Sequence, residues 1–344
     1  MMRCPRFRYA SPSTVGEACR LLGDAGGEAM ILAGGTDLVP NMKRRQQVPA
    51  TLVSLRRIEA LHGLKTTKGE ARIGAMTTLS ALVAHPELRE RYPALFKAAG
   101  QVATPHLRNM GTLGGNLCVD TRCNYYDQSH EWRQSIDFCM KKDGKICWVA
   151  PGSPRCWAVS STDTAPALMA LGARVLLAGE GGQRDIALPD FYRDDGIDYL
   201  SRRRGEILTD ILMPAAVPGE ASTYWKLRRR GSFDFPVLSV AAWIRRDGDG
   251  IVTDARIVLG SVASRPVIAP AARLLGSALG PDAIEEASEE ASALAKPLDN
   301  TDFTLGWRKK SARHLIAGAL RELGGEDPRS LGTIARRAAE LVPV

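Results

Sequence analysis

Four cysteines, Cys123, Cys139, Cys147 and Cys156, stand in the pattern C-x15-C-x7-C-x8-C. Four thiolates suit zinc or an iron–sulfur cluster, and the spacing does not choose between them. It contains neither the close C-x-x-C pairs of most zinc knuckles nor a ferredoxin run. Unligated thiols are the third reading. Tyr125, Tyr126, Trp132, Phe138, Trp148 and Trp157 crowd the same stretch, although aromatics make up only 6% of the chain. An apolar shell of that kind limits solvent access and disfavours added negative charge, which lowers the reduction potential of an enclosed cluster. The plainer account is that the aromatics give a core to a segment with little regular structure. Lys141, Lys142 and Lys145 read first as a solvated turn around Asp143-Gly144, with steering of an acidic electron carrier as the functional alternative.

Two further segments place small residues where a backbone must come close to something. They are Ala33-Gly34-Gly35-Thr36-Asp37-Leu38 and Asn109-Met110-Gly111-Thr112-Leu113-Gly114-Gly115-Asn116. Glycine admits left-handed dihedrals and removes the Cβ that would keep a ligand away, so successive backbone N–H groups can converge on phosphate oxygens. Thr36, Thr112 and Asn116 add side-chain donors. Two tight structural turns are the alternative reading. Neither loop is a G-x-G-x-x-G opening a long helix or a G-x-x-x-x-G-K-[ST], which disfavours a standard dinucleotide fold and a nucleotide hydrolase.

These segments need elements to hold them. Thr14 and Glu17 suggest a capping box before Val15, Ala18, Cys19 and Leu22 at helical spacing. Short apolar runs at 29–33 and 51–55 complete a small α/β lobe. A second lobe opens near Ala71, with a helix from Leu79 that stops before Pro86, and it resumes with a helix over 165–171 and a strand over 174–177. Asp163 stands where a helix N-cap would be. Beyond the polar linker 214–220, strands over 237–244 and 251–259 flank Asp247-Gly248-Asp249-Gly250, a hairpin signal. Helical patterns follow at 267–279, 282–294 and 307–320. Near-helical spacing of Ile334, Ala338 and Leu341 suggests a tail that packs on a neighbour.

A length of 344 residues points to two or three domains. The net charge of +8 is a weak pointer to nucleic acid, because Arg202-Arg203-Arg204 and Arg228-Arg229-Arg230 are separated and not interleaved with aromatics. They read as solvated faces and subunit contacts. No apolar stretch has the length of a signal-peptide core or a membrane span, so the expectation is a soluble cytoplasmic protein without disulfides. Nothing resembles a site for substrate chemistry: H-E-x-x-H and G-x-S-x-G are absent.

Taken together, the two glycine loops resemble the flavin-binding subunits of the molybdenum hydroxylases. Matching segments in the same order are 73–79 (IGAMTTL), 161–168 (STDTAPAL), 206–208 (EIL) and 225–227 (WKL). The resemblance implies an α+β architecture with a two-lobed α/β FAD-binding domain of the PCMH type over 1–217, its first lobe at 1–57 and its second at 58–217. An iron–sulfur insertion would occupy 118–158, a C-terminal domain of the CO dehydrogenase flavoprotein type 222–324, and a tail 325–344. Carried over position by position, Ile31, Leu32, Ala33, Gly34, Gly35, Thr36, Asp37 and Leu38 would cradle the pyrophosphate with Gly111, Thr112, Leu113, Gly114, Gly115 and Asn116. Val102 would line the site, Asp163 would accept from FAD hydroxyls, and Leu208 would pack on the ring system. Lys226 would sit near the flavin's pyrimidine side, where a cation stabilises negative charge on the reduced ring.

The insertion itself resembles that of the β subunits of 4-hydroxybenzoyl-CoA reductases, which carry one of similar length at this point. That resemblance implies a [4Fe-4S] cluster on Cys123, Cys139, Cys147 and Cys156. It also implies a large subunit with molybdopterin cytosine dinucleotide, a small subunit with two [2Fe-2S] clusters, and a dimer of heterotrimers. Electrons would come from a ferredoxin, with no nucleic acid and no membrane involved. Two rivals stand beside it: the FAD subunit of an oxidative molybdenum hydroxylase acting on an aldehyde, heterocycle or other aromatic substrate, and a zinc-stabilised binding module with structural glycine loops.

Overall fold

The computed structural model describes residues 3–67 and 69–331, which form an α+β fold built on three sheets. The first sheet holds β1 (Arg8–Ala10), β2 (Ala29–Leu32) and β3 (Thr51–Ser54) in the order β1-β3-β2, all parallel. Parallel strands of one sheet need crossovers, and the helix Val15–Asp24 lies in the one that carries the chain from β1 to β2, on the far side of β3. Thr14 caps that helix by accepting from the Glu17 N–H at 3.2 Å. The Glu17 carboxylate returns to the Ser13 N–H at 3.0 Å, one residue short of a reciprocal capping box. Ala18, Cys19 and Leu22 face inward, and the Cys19 thiol donates to the Ala178 carbonyl at 3.3 Å, joining this lobe to the next.

The second sheet holds β4 (Leu64–Thr66), β5 (Glu70–Gly74), β6 (Arg174–Gly179), β7 (Gly182–Ala187) and β8 (Ile207–Pro214), ordered β4-β5-β8-β6-β7 and antiparallel throughout. β8 is central and buried from Ile207 to Met213, and its one buried charge, Asp210, is paired with Arg72 of β5 at 2.7 Å. The helices Leu79–Ala84, Pro93–Gly100 and Thr164–Ala170 bury their apolar faces in the same core. Both the second glycine loop and the cysteine-rich segment lie in the long excursion between β5 and β6.

β9 (Glu220–Leu227), β10 (Leu238–Arg246), β11 (Val252–Gly260) and β12 (Val267–Ala269) make the third sheet, ordered β12-β11-β10-β9 and antiparallel. The hairpin between β10 and β11 turns on Asp247, whose carboxylate accepts from the N–H groups of Asp249 at 3.0 Å and Ile251 at 2.9 Å. The helices Pro281–Ser292 and Leu305–Leu323 cover this sheet and share its core. The expected helix over 267–279 is absent: Val267–Ala269 pairs with β11, and only a short turn, Ala272–Leu274, follows. Pro266 and Pro270 flank the strand, and each removes an N–H and disfavours helix in the residue before it. Ile334, Ala338 and Leu341 lie outside the described residues. Among the described residues no helix is long and apolar enough to cross a membrane.

The two-residue period of β9 sends alternate side chains to different partners. Trp225 and Thr223 donate to one Glu322 oxygen, each at 2.6 Å, while Tyr224 and Lys226 reach the opposite way. A Cβ at Gly318, on the helix that carries Glu322, would lie 2.2 Å from the Trp225 ring. Gly318→Ala therefore overpacks this contact and is expected to destabilise by about 1–3 kcal/mol. An unchanged thermal unfolding midpoint would remove the packing argument.

Candidate functional site

A cavity of about 820 Å³ lies where the two glycine loops face one another. Of the first segment, Ile31 and Ala33 to Leu38 line it, and of the second, Gly111, Thr112, Gly114, Gly115 and Asn116. Val102, Asp163 and Leu208 complete the set that the sequence brought together. Leu32, Leu113 and Lys226 do not line it. Leu32 packs beneath Gly35, Leu113 is fully buried in the second-lobe core, and Lys226 stands behind Asp163.

The glycines serve a different purpose from the one their types suggest. A Cβ on Gly34 would lie 1.9 Å from the Met110 carbonyl oxygen, and one on Gly114 would meet Ala75 at 2.7 Å. These residues let backbone pack on backbone, loop against loop and loop against strand, before any ligand is considered. Gly35 has φ +73°, which a side chain would strain. In the first loop the N–H groups of Gly34, Gly35, Thr36 and Asp37 find no protein acceptor among the described residues. In the second loop those of Leu113, Gly114 and Gly115 are already bound to the Thr77 and Ala75 carbonyls and the Thr112 hydroxyl oxygen. The Asn116 carboxamide oxygen accepts from the Thr162 hydroxyl and from the N–H and hydroxyl of Thr164 at 2.7–3.0 Å, leaving its NH2 for a ligand.

Asp163 holds the N-cap position of the helix Thr164–Ala170 without capping it. Its side chain makes no capping bond, and the Thr162 hydroxyl oxygen accepts from the Ala165 N–H instead. The Asp163 carboxylate accepts from the Tyr224 hydroxyl at 2.7 Å and the Lys226 ammonium at 3.0 Å, and that ammonium also donates to the Gln101 carbonyl at 3.0 Å. Burial pushes Asp163 above the usual carboxylate range and Lys226 below the usual ammonium range. The pair ties β9 of the third sheet to the cavity wall.

Cations at the cavity escaped sequence reasoning. Arg202, Arg203 and Arg204 line the cavity, Arg203 and Arg204 as exposed residues in keeping with their reading as a solvated face, and Arg44 and Arg122 line it too. Arg122 is bound to Asp37 and Asp127, with its guanidinium 4.3 Å from the Phe235 ring centre. The only sequence signal was the basic run itself.

The segment carrying the four cysteines forms one wall of this cavity through Cys118, Val119, Asp120, Arg122 and Asp127. Burial pushes the Cys118 thiol up to about 11. All seven cysteines are free. Cys123, Cys139 and Cys156 share an apolar cluster with Tyr126, against which Tyr125 and Trp148 pack; Cys147 is also buried and lies within electrostatic reach of Cys123 and Cys156. Trp132 lies outside this shell, 39% exposed, and Trp157 stacks on Arg155. Among the described residues no three His, Cys, Asp or Glu side chains converge on one point as a single metal ion requires. The fully buried Arg133 docks the segment on the first lobe, donating to the Arg44 carbonyl at 3.3 Å. Lys141 is no surface lysine: its side chain is 6% exposed and its ammonium donates to Asp120 at 2.7 Å.

Residues 5–216 match the family described as the FAD binding domain in molybdopterin dehydrogenase. The chain belongs to this family. Residues 222–323 match the CO dehydrogenase flavoprotein C-terminal domain. The carbon monoxide dehydrogenase medium chain of Hydrogenophaga pseudoflava is 30% identical over 319 residues, 92% of this chain and 96% of that one. The aldehyde oxidoreductase FAD-binding subunit of Escherichia coli is 33% identical over 269 residues, 76% of this chain and 82% of that one. A solved carbon monoxide dehydrogenase structure from Hydrogenophaga pseudoflava superposes with TM-score 0.77 at 30% identity, covering 93% of this chain and 98% of that one.

The cavity fits the family's cofactor. FAD combines a pyrophosphate anion with flat apolar rings, and here unpaired N–H groups and arginines stand beside Val102, Ile207 and Leu208. Gly34→Ala forces the two loops apart and is expected to yield a folded chain with most of its FAD lost, read from the visible flavin absorbance per protein. Asp163→Asn leaves the buried Lys226 ammonium without its counter-charge, so a loss of about 3–5 kcal/mol is expected in denaturant unfolding. A loss below 1 kcal/mol would show that the pair is not what holds β9 to the wall.

Proposed function

We propose that the chain is the FAD- and [4Fe-4S]-carrying electron-transfer subunit of a molybdenum enzyme, and specifically of 4-hydroxybenzoyl-CoA reductase. One observation carries the proposal: four buried thiols sit together in a segment that also forms a wall of the flavin cavity. The donor set suits a cluster, whose thiolates stand further apart than those around one ion, and Gly196 packs so closely on Cys156 that a Cβ there would lie 2.7 Å from its sulfur. Cys123, Cys139, Cys147 and Cys156 would hold it. Bound FAD exchanges one or two electrons, and a [4Fe-4S] centre exchanges one.

The remaining roles belong to the chain's own side chains. The N–H groups of residues 34–37 and the Asn116 NH2 hold the pyrophosphate region, Asp163 accepts from FAD hydroxyls, and Lys226 fixes Asp163 in place. Leu208 and Val102 exclude water from the rings. Residues 1–217 form the FAD-binding unit, with the insertion at 118–158, and residues 222–324 brace it through β9. A large molybdopterin subunit and a small [2Fe-2S] subunit complete a dimer of heterotrimers in the cytoplasm. The partner's reaction takes two electrons and two protons and releases the phenolic hydroxyl of the substrate as water, with a reduced ferredoxin as the electron source.

The names of the relatives favour a second reading, an oxidative hydroxylase in which electrons leave through this subunit. Iron, sulfide and flavin are to be counted after anoxic purification of the complex, with about four irons expected per chain beyond those of the partners. Cys147→Ala should remove that iron and its absorbance while FAD stays bound. Reduced ferredoxin with 4-hydroxybenzoyl-CoA should then give benzoyl-CoA only in the unaltered complex. Turnover of aldehydes or heterocycles with a dye acceptor, and none of the thioester, would establish the second reading instead; zinc in place of iron would remove the cluster from both.

A further inference from the structure

Between the thiol centre and the flavin cavity lies a buried polar group that neither site explains. Lys141, two residues beyond Cys139, turns inward, and its ammonium donates to Asp120 at 2.7 Å, to the Thr121 hydroxyl oxygen at 2.8 Å and to the Gly196 carbonyl at 2.6 Å. Gly196 is the residue packed on the Cys156 sulfur, and its N–H donates to the Cys156 carbonyl at 2.9 Å. On the other side, Asp120 lines the flavin cavity and accepts from the Tyr126 hydroxyl at 3.0 Å and the Gln47 amide at 3.1 Å. The ammonium also stands 4.9 Å from the Tyr126 ring centre and 5.5 Å from that of Tyr199. Tyr126 belongs to the thiol cluster and Tyr199 to the cavity wall.

We infer that Lys141 is a positioning residue for electron transfer: a fixed positive charge, locked by Asp120 in the wall between the two centres, that raises the electron affinity of the thiol-held centre. The inference rests on the cluster reading above. When that centre takes one electron its charge becomes more negative by one, with no bond made and no proton required. A cation held nearby in a water-poor setting favours that change, and a neighbouring anion opposes it. Asp120 and Lys141 therefore pull in opposite directions. The lysine neighbours of Lys141 are differently placed: Lys142 is 32% exposed and pairs with Asp143.

The test uses the complete complex, prepared without oxygen, with dithionite titration in the presence of mediators and the cluster followed by electron paramagnetic resonance. Lys141→Gln should disfavour reduction about tenfold, a fall of about 59 mV for a one-electron centre. Lys141→Arg should restore most of the potential, Asp120→Asn should move it the opposite way, and Lys142→Gln should leave it unchanged. A role in packing alone would move Lys141→Gln and Lys141→Arg together, or Lys141→Gln and Asp120→Asn in the same direction, and either result overturns the inference. An iron-loaded Lys141→Gln complex with unmoved potential overturns it while sparing the cluster. A complex without the extra iron, even after reconstitution, overturns both. Should Lys141→Gln fail to retain iron, the opposing shifts of Asp120→Asn and Lys141→Arg decide the matter.

Discussion

Everything in the cofactor site depends on two backbones meeting without side chains between them. Gly34 lies against the Met110 carbonyl so tightly that a methyl group would sit inside it, and this contact brings a loop of the parallel first sheet against a loop of the antiparallel second. Once the loops touch, their ligand-facing surfaces are set by the elements that carry them. The first loop offers N–H groups that find no protein acceptor among the described residues, while the N–H groups of the second are consumed within the protein. The result is a mouth with one receptive lip and one satisfied lip.

The third sheet closes the arrangement electrostatically. Alternation along β9 gives one face to Glu322 and the other to Asp163, so a single strand links the C-terminal helices to the cavity wall. Buried charges are tolerated there because each has a partner and further hydrogen bonds. The same logic recurs at Lys141 and Asp120, where a charged pair occupies the ground common to thiols and flavin cavity. The wall formed by the cysteine-bearing segment is itself charged, through Asp120, Arg122 and Asp127.

Much of this was legible in the sequence. Most of the two glycine segments, with Asp163 and Leu208, line one cavity, whereas Leu32, Leu113 and Lys226 stand behind its surface. The helix over 15–24 and the hairpin at Asp247 carried their own local signals. Other features depended on contacts distant in sequence. Nothing local distinguishes the buried Lys141 from the exposed Lys142, and the strand Val267–Ala269 became visible only when it paired with β11. The arginines at 202–204 read as a solvated run, and two of them are exposed; that they also border a cavity depends on the first glycine loop, more than 160 residues before them.

Arg133 gives the insertion a second tie to the chain. Its wholly enclosed guanidinium donates to the Arg44 carbonyl, just past the helix Leu38–Lys43 that follows the first glycine loop, while Gln46 donates to the Tyr126 carbonyl at 2.6 Å. The cysteine-bearing segment is thus a keystone more than an ornament. Loss of its cysteines alone would leave both of these ties in place, so the wall they anchor and the thiols it carries can change separately.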